Sequence, residues 1–234
     1  DTHRKLLLDS SDLYDLAGST IVIDHHRRTE DYISDAAISY SVPSASSTCE
    51  MVSELIQYST IQDNPSADVA TALFSGIVLD TKDFVLRTSQ RTFEAAGFLR
   101  DSGADTVQVK KFFAIDAEMA SIKNEIISNS KIFNGFMIGV CNADNKNIRI
   151  VTSSAADDML NIDGVKASFV ISKLGLGKYQ ISARSLGEEN VQLIMEQLNG
   201  GGHITMAAAQ IKASDSEGAK AMLLDAISEY LNNK

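Results

Sequence analysis

The chain has 234 residues, 44% of them hydrophobic and 22% charged, with a formal net charge of −10. That length suggests two domains of ~100–150 residues each. The acidic balance disfavours broad binding to duplex nucleic acid, which needs a basic face to displace counterions. A small phosphate ligand stays open, because carboxylates reach phosphate through divalent cations. No apolar run approaches the ~18 residues that span a bilayer, and Cys49 and Cys141 match no metal-ligand or redox spacing.

Leu6–Leu16 is a short mixed segment that leads through Gly18 into Thr20–Ile23, a β-branched run suited to a strand buried on both faces. At its carboxyl end stand Asp24, His25 and His26, then Arg27 and Arg28. An open α/β sheet binds its ligands in that position. Read alone, D-H-H also suits a polar turn that closes a core strand. Ser34–Ser44 resembles a connecting loop, and Ser44 and Ser46 are candidate caps for a helix over Ala45–Ser59. Cys49, Val52, Leu55 and Ile56 form its stripe. Asn64-Pro65 makes a turn and Ser66 caps Ala67–Leu79, which is nearly apolar all round and therefore expected deep in the core.

Asp80 follows directly. An acid beside the negative end of a helix dipole is unfavourable, and a bound cation would resolve the conflict. A plain helix-terminal turn is the other reading. Arg87 and Arg91, each before a threonine, offer forks that match phosphate oxygens; solvated loop charge accounts for either one alone. Thr92–Ser102 reads as a helix stopped by Gly103, Thr106–Phe113 follows, and Glu118–Phe133 reads as a long helix bridging two domains.

Beyond Gly135 the pattern predicts strands at Phe136–Cys141, Ile148–Thr152, Ala167–Ser172 and Tyr179–Ala183, the first two a hairpin around Asn142–Asn147. Val191–Leu198 predicts a helix, Ala209–Ala213 a strand and Glu217–Leu231 a closing helix. Between them lies Gly200-Gly201-Gly202-His203. Three consecutive glycines carry a large ordering cost. The loop is therefore expected to need unusual dihedrals or close backbone approach to a phosphate or nucleobase edge.

D-T-H at 1–3, D-H-H at 24–26, L-D-T-K at 79–82 and G-G-G-H at 200–203 together resemble the DHH/DHHA1 phosphoesterase superfamily. The stretch Gly76–Asp105 is similar, more narrowly, to the cyclic-di-AMP phosphodiesterases of Gram-positive bacteria, in particular the membrane-anchored type. The resemblance implies an α/β protein: a Rossmann-like DHH domain with a parallel sheet over about 1–115, a linker helix at 116–134, and a smaller α+β DHHA1 domain over 135–234. It implies two divalent metal ions, usually manganese, bridged by Asp1, with His25 and Asp80 as further ligands. Asp24 would orient a neighbouring ligand, His26 would contact the substrate phosphate, and Gly201, Gly202 and His203 would hold the nucleotide across an interdomain cleft. Arg87 and Arg91 would bind substrate.

The implied reaction is hydrolysis of cyclic di-AMP to linear pApA by a nucleophile the two ions share, with no protein nucleophile. Two alternatives remain: an oligoribonuclease or 3′-phosphoadenosine phosphate phosphatase of the same superfamily, and a non-catalytic nucleotide-sensing module. The family's first motif, H-x-x-x-D-x-D, is not in the sequence. It is expected upstream of Asp1 in a longer chain. The resemblance further implies a bacterial membrane-anchored parent with this part soluble on the cytoplasmic side, without membrane contact of its own, and it admits a homodimer.

Overall fold

The structure is a computed structural model that describes residues 1–60, 64–143 and 145–234. The chain divides into two compact units, Asp1–Ala114 and Ile115–Lys234.

In the first unit a 3-10 turn (Lys5–Leu7) and α1 (Ser11–Leu16) precede β1 (Ile21–Asp24). β1 pairs in parallel with β2 (Ile38–Ser41), Ile21 opposite Ile38 and Asp24 opposite Ser41. β2 corrects the expectation of an unbroken loop over Ser34–Ser44. Ile38-Ser39-Tyr40-Ser41 alternates apolar and polar residues with the period of a strand, and β1 supplies its hydrogen-bonding partner. Four helices follow: α2 (Thr48–Gln57), α3 (Ala67–Thr81), α4 (Gln90–Asp101) and α5 (Thr106–Phe112). Ala70 and Ile77 of α3, Ala95 and Leu99 of α4, and Ala104 form a core against which Cys49 of α2 also packs.

Two expectations about helix faces are corrected. Ser47, not Ser44 or Ser46, caps α2, and Leu55 of the expected stripe is 48% exposed while Met51 is fully buried. In α3, Val69 and Leu79 lie about half exposed, so the helix buries one side rather than all. α2 and α3 approach so closely that a Cβ on Gly76 would stand 2.2 Å from Cys49 Sγ. Glycine there spares Cys49 a shift that any Cβ would force.

α3 ends in an uncommon way. Lys82, Asp83 and Phe84 take φ of 50°, 56° and 64°, three consecutive non-glycine residues in the left-handed region. Each such residue costs ~1–2 kcal/mol. Thr81 holds the turn: its hydroxyl donates to Ile77 O (2.7 Å) and accepts from Phe84 N (3.0 Å), and its carbonyl accepts from Val85 N and Leu86 N. Phe84 also stacks on Phe93 and meets the edge of Phe74, contacts that offset the backbone cost.

The second unit runs α6 (Ala117–Asn129), β3 (Lys131–Phe133), β4 (Phe136–Cys141), α7 (Ile148–Met159), β5 (Ala167–Gly175), β6 (Lys178–Ser185), α8 (Val191–Gln197), β7 (Gly201–Gly202), β8 (Met206–Lys212) and α9 (Ser216–Asn232). The strands form one sheet in the order β3-β4-β5-β6-β8-β7. Only β4 and β5 pair in parallel among the described strands of this sheet. Phe136, Phe169 and Ile181 pack with α8 and α9 in one cluster. Met137 and Val170 pack with Met119, Ile126, Val151 and Met159 of α6 and α7 in a second.

Three sequence readings fail here. Ile148–Thr152 is the start of helix α7, not the second strand of a hairpin. Val151, Thr152, Ala155, Ala156 and Met159 are buried at helical spacing, and a parallel β4–β5 pair needs a crossover of this kind. Of the expected hairpin loop, Asp144 lies outside the described residues. The helix expected to reach Phe133 stops at Asn129, and Lys131–Phe133 turns back onto β4 through Asn134-Gly135, both at positive φ. That pair is a two-residue hairpin turn. Finally, Gly201 and Gly202 are themselves a short strand paired with Ala208 and Ala207, and strand β8 follows them. No helix of the described residues is long and apolar enough to cross a membrane.

Candidate metal centre and nucleotide loop

The end of β1 delivers three side chains in succession. Asp24 is fully buried and accepts from His26 Nδ1 at 2.7 Å, from the His26 amide at 3.2 Å, and from His3 Nδ1. The amide of Thr29 donates to His3 Nε2 at 3.1 Å, so the proton of a neutral His3 sits on Nδ1 and points at Asp24. Burial pushes the Asp24 carboxyl up, but the bonds from His26 and His3 outweigh it and bring its pKa down to about 2. A fixed negative charge therefore stands behind both imidazoles.

His25 is 4% exposed, and its Nδ1–H donates to the carbonyl of Ala45 at 3.3 Å. Its Nε2 faces Asp1 Oδ1 at 3.5 Å and Asp80 Oδ2 at 3.7 Å. Burial lowers the His25 pKa, with the Ala45 carbonyl opposing. A neutral imidazole with one nitrogen tied to a carbonyl is the form in which histidine ligates metal. Asp1 Oδ1 accepts from Thr48 Oγ1 at 2.7 Å and lies 3.7 Å from His26 Nδ1. Ligand atoms of Asp1, His25 and His26 all fall within 4.8 Å of one another. Asp80 comes from the last turn of α3, its side chain 33% exposed. Beside these residues a cavity of about 160 Å³ is lined by Asp1, Thr48, Cys49, Gly76, Leu79 and Asp80, among others.

The residues fit a divalent cation. Two carboxylate oxygens face one imidazole nitrogen at distances beyond a hydrogen bond, and the set is nitrogen and oxygen throughout.

The two arginines separate. Arg87, itself at φ 52°, donates from Nη2 to Pro43 O at 3.0 Å, and its charge acts on His25. Arg91 is engaged by Glu54 through two bonds of 2.7 and 2.5 Å and lines a different cavity of about 570 Å³ with Tyr40 and Tyr58. In the second unit, Gly201, Gly202 and His203 are all exposed, and the His203 amide donates to Met206 O at 2.7 Å to close the turn into β8.

Four groups of this site are absent from the sequence reading: His3 as a partner of Asp24, Thr48, the Ala45 carbonyl, and Glu50 beneath it. One signal was available, since Ser47-Thr48-Cys49-Glu50 has the S-x-x-E spacing that opens a helix.

The model of the DHH family, N-terminal domain, matches residues 1–77, and that of the DHHA1 domain matches residues 134–233. The chain belongs to the DHH/DHHA1 family, carrying those two domains in that order. It is 41% identical over 231 residues to the cyclic-di-AMP phosphodiesterase PdeA of Listeria monocytogenes, and 44% identical over 231 residues to the cyclic-di-AMP phosphodiesterase GdpP of Geobacillus thermodenitrificans. Both alignments take in 98% of this chain and 35% of the relative, so the chain spans about a third of their length. Among solved structures, an exopolyphosphatase-related protein from Bacteroides fragilis has the same fold, with a TM-score of 0.83 at 22% identity over 98% of this chain and 70% of that one.

Proposed function

We propose that this chain is the catalytic part of a metal-dependent phosphodiesterase that hydrolyses cyclic di-AMP to linear pApA. The observation that carries the reading is the orientation of His25, whose Nδ1 is tied to Ala45 O while Nε2 faces the carboxylates of Asp1 and Asp80. Two relatives at 41% and 44% identity named for that activity support the substrate.

In this reading Asp1, His25 and Asp80 hold divalent cations, two in number and manganese by preference. Such ions would neutralise the phosphodiester and acidify water. The chain's own residues do the rest. Asp24 fixes the His26 ring so that its side chain meets the phosphate in one orientation. Arg87 keeps further guanidinium N–H groups beyond the one given to Pro43, and these suit a phosphate oxygen. Arg91 would join it only by giving up Glu54. In the DHHA1 domain, Gly201, Gly202 and His203 hold the nucleotide. The full-length parent is membrane-anchored, with this part on the cytoplasmic side.

Asp80→Ala in the full-length protein tests the reading. Loss of a ligand carboxylate is expected to cut manganese-dependent hydrolysis of cyclic di-AMP by ~10²-fold or more, with an unchanged melting curve. Activity within a few-fold of the parent would remove Asp80 from the site. Faster turnover of pApA or 3′-phosphoadenosine phosphate than of cyclic di-AMP by the parent would overturn the substrate.

A further inference from the structure

We propose that Glu50 is a positioning residue for His25, acting through the peptide group between Ala45 and Ser46. The proposal rests on the metal-dependent reading above.

Glu50 is fully buried in the first turn of α2. Its Oε2 accepts from Ser46 Oγ at 2.5 Å, from Thr92 Oγ1 at 2.6 Å and from the Ser46 amide at 3.4 Å. Its Oε1 is buried with no hydrogen-bond partner among the described residues. Burying a carboxyl in this one-sided way is costly, and an apolar residue would fill the volume without that cost. The peptide plane explains what the acid does. Ala45 C=O and Ser46 N–H belong to one rigid planar group and point in opposite directions. Glu50 holds its N–H edge and His25 Nδ1 holds its C=O edge. Rotation of this plane to suit one partner would break the bond to the other.

The surroundings make Glu50 the point where the plane is fixed. Ala45 and Ser46 are each 1% exposed, and the Ala45 amide donates to Val42 O at 3.0 Å. Ser47 Oγ accepts from the Glu50 amide at 3.0 Å, which anchors the loop to α2. Thr92 accepts from the Ser89 amide at 3.0 Å, which brings the start of α4 onto the same carboxylate oxygen. Groups that orient the outer nitrogen of a ligating histidine are typically worth ~10–100-fold in metal affinity.

Manganese binding, measured by calorimetry on the full-length protein without substrate, tests the proposal independently of turnover. Glu50→Met keeps the shape and removes the acceptor. It is expected to weaken binding ~10-fold or more. Glu50→Gln is expected to stay within ~3-fold, since its amide oxygen can take the bonds of Oε2 and the other position has no partner to lose. Ser46→Ala should move in the same direction as Glu50→Met, and the double variant should be no weaker than Glu50→Met alone. Leu99→Ala, a core change, serves as a control for lost stability and should keep its metal affinity. Wild-type affinity in Glu50→Met, or an equal loss in Leu99→Ala, overturns the proposal. If Glu50→Met does not fold, wild-type affinity in Ser46→Ala does the same. His25→Ala separates the two levels: if it binds manganese as tightly as the parent, the metal reading itself falls and this proposal with it.

Discussion

A Cβ at Gly200 would stand 2.3 Å from Ala208 O, and one at Gly202, where φ is 148°, would stand 2.4 Å from Met206 O. Nothing lies within 4 Å of a Cβ at Gly201. Two of the three glycines are thus demanded by the packing of β7 on β8. Only the middle one is left for a ligand to demand. Gly202→Ala is expected to destabilise by ~1–3 kcal/mol from overpacking, and Gly201→Ala by under ~0.5 kcal/mol. A higher KM for cyclic di-AMP in Gly201→Ala, at unchanged melting temperature, would therefore report substrate backing onto that residue; an unchanged KM would take it out of the site. Asp24 makes a second prediction. Its folded pKa of about 2 lies below the ordinary 3.8, so its ionisation stabilises the fold above pH ~4 and that contribution is lost as pH falls through 2. The shift corresponds to about 2 kcal/mol. Urea unfolding of the metal-free protein should show Asp24→Asn less stable than the parent near neutrality, with the gap closing towards pH ~2. Asp24, His25 and His26 were legible because they are consecutive at a strand end. His3 and Glu50 were not, because their partners Asp24 and Thr92 lie 21 and 42 residues away.

At the scale of elements, the turn Lys82–Phe84 places three consecutive non-glycine residues at positive φ, a strained arrangement. Asp83 is exposed, with φ of 56°. Asp83→Gly removes the Cβ penalty at the price of a more flexible unfolded chain, and a net gain of ~0.5–1 kcal/mol is expected in urea denaturation. A loss would show that the turn is unstrained. Nothing in K-D-F foretold this geometry, since such a conformation is held by Thr81 and the phenylalanine contacts rather than by local preference. The Asn134-Gly135 hairpin was the opposite case, a strong local signal passed over because an apolar helical pattern ran right up to it and took in Lys131–Phe133. Helix α7 was misread because its first five residues are rich in β-branched side chains, and only the later Ala155, Ala156 and Met159 reveal the helical period. Parallel β2 was hidden by its brevity and by partners that precede it by 17 residues, Ile21 for Ile38 and Asp24 for Ser41.

At the scale of the whole molecule, each unit has a core of its own, so each is expected to unfold cooperatively by itself. In calorimetry, Leu99→Ala should lower the transition of the first unit by ~2–5 kcal/mol and Phe169→Ala that of the second by ~3–5 kcal/mol. A single transition moved equally by both would refute independent folding. The close contact of Cys49 with Gly76 constrains the chain in another currency, the order in which its sequence can change. Residue 76 lies inside a helix, where alanine is intrinsically favoured over glycine by ~1 kcal/mol. With sulfur 2.2 Å from the would-be Cβ, that gain is opposed by the shift Cys49 would have to make. With alanine at position 49 the sulfur is gone and the remaining neighbour is its Cβ at 3.1 Å, so the same substitution at 76 then asks only for a shift of a few tenths of an ångström. The cost of one mutation is set by another made earlier, and of the two paths to the same double variant the one that begins at Cys49 meets the smaller obstacle.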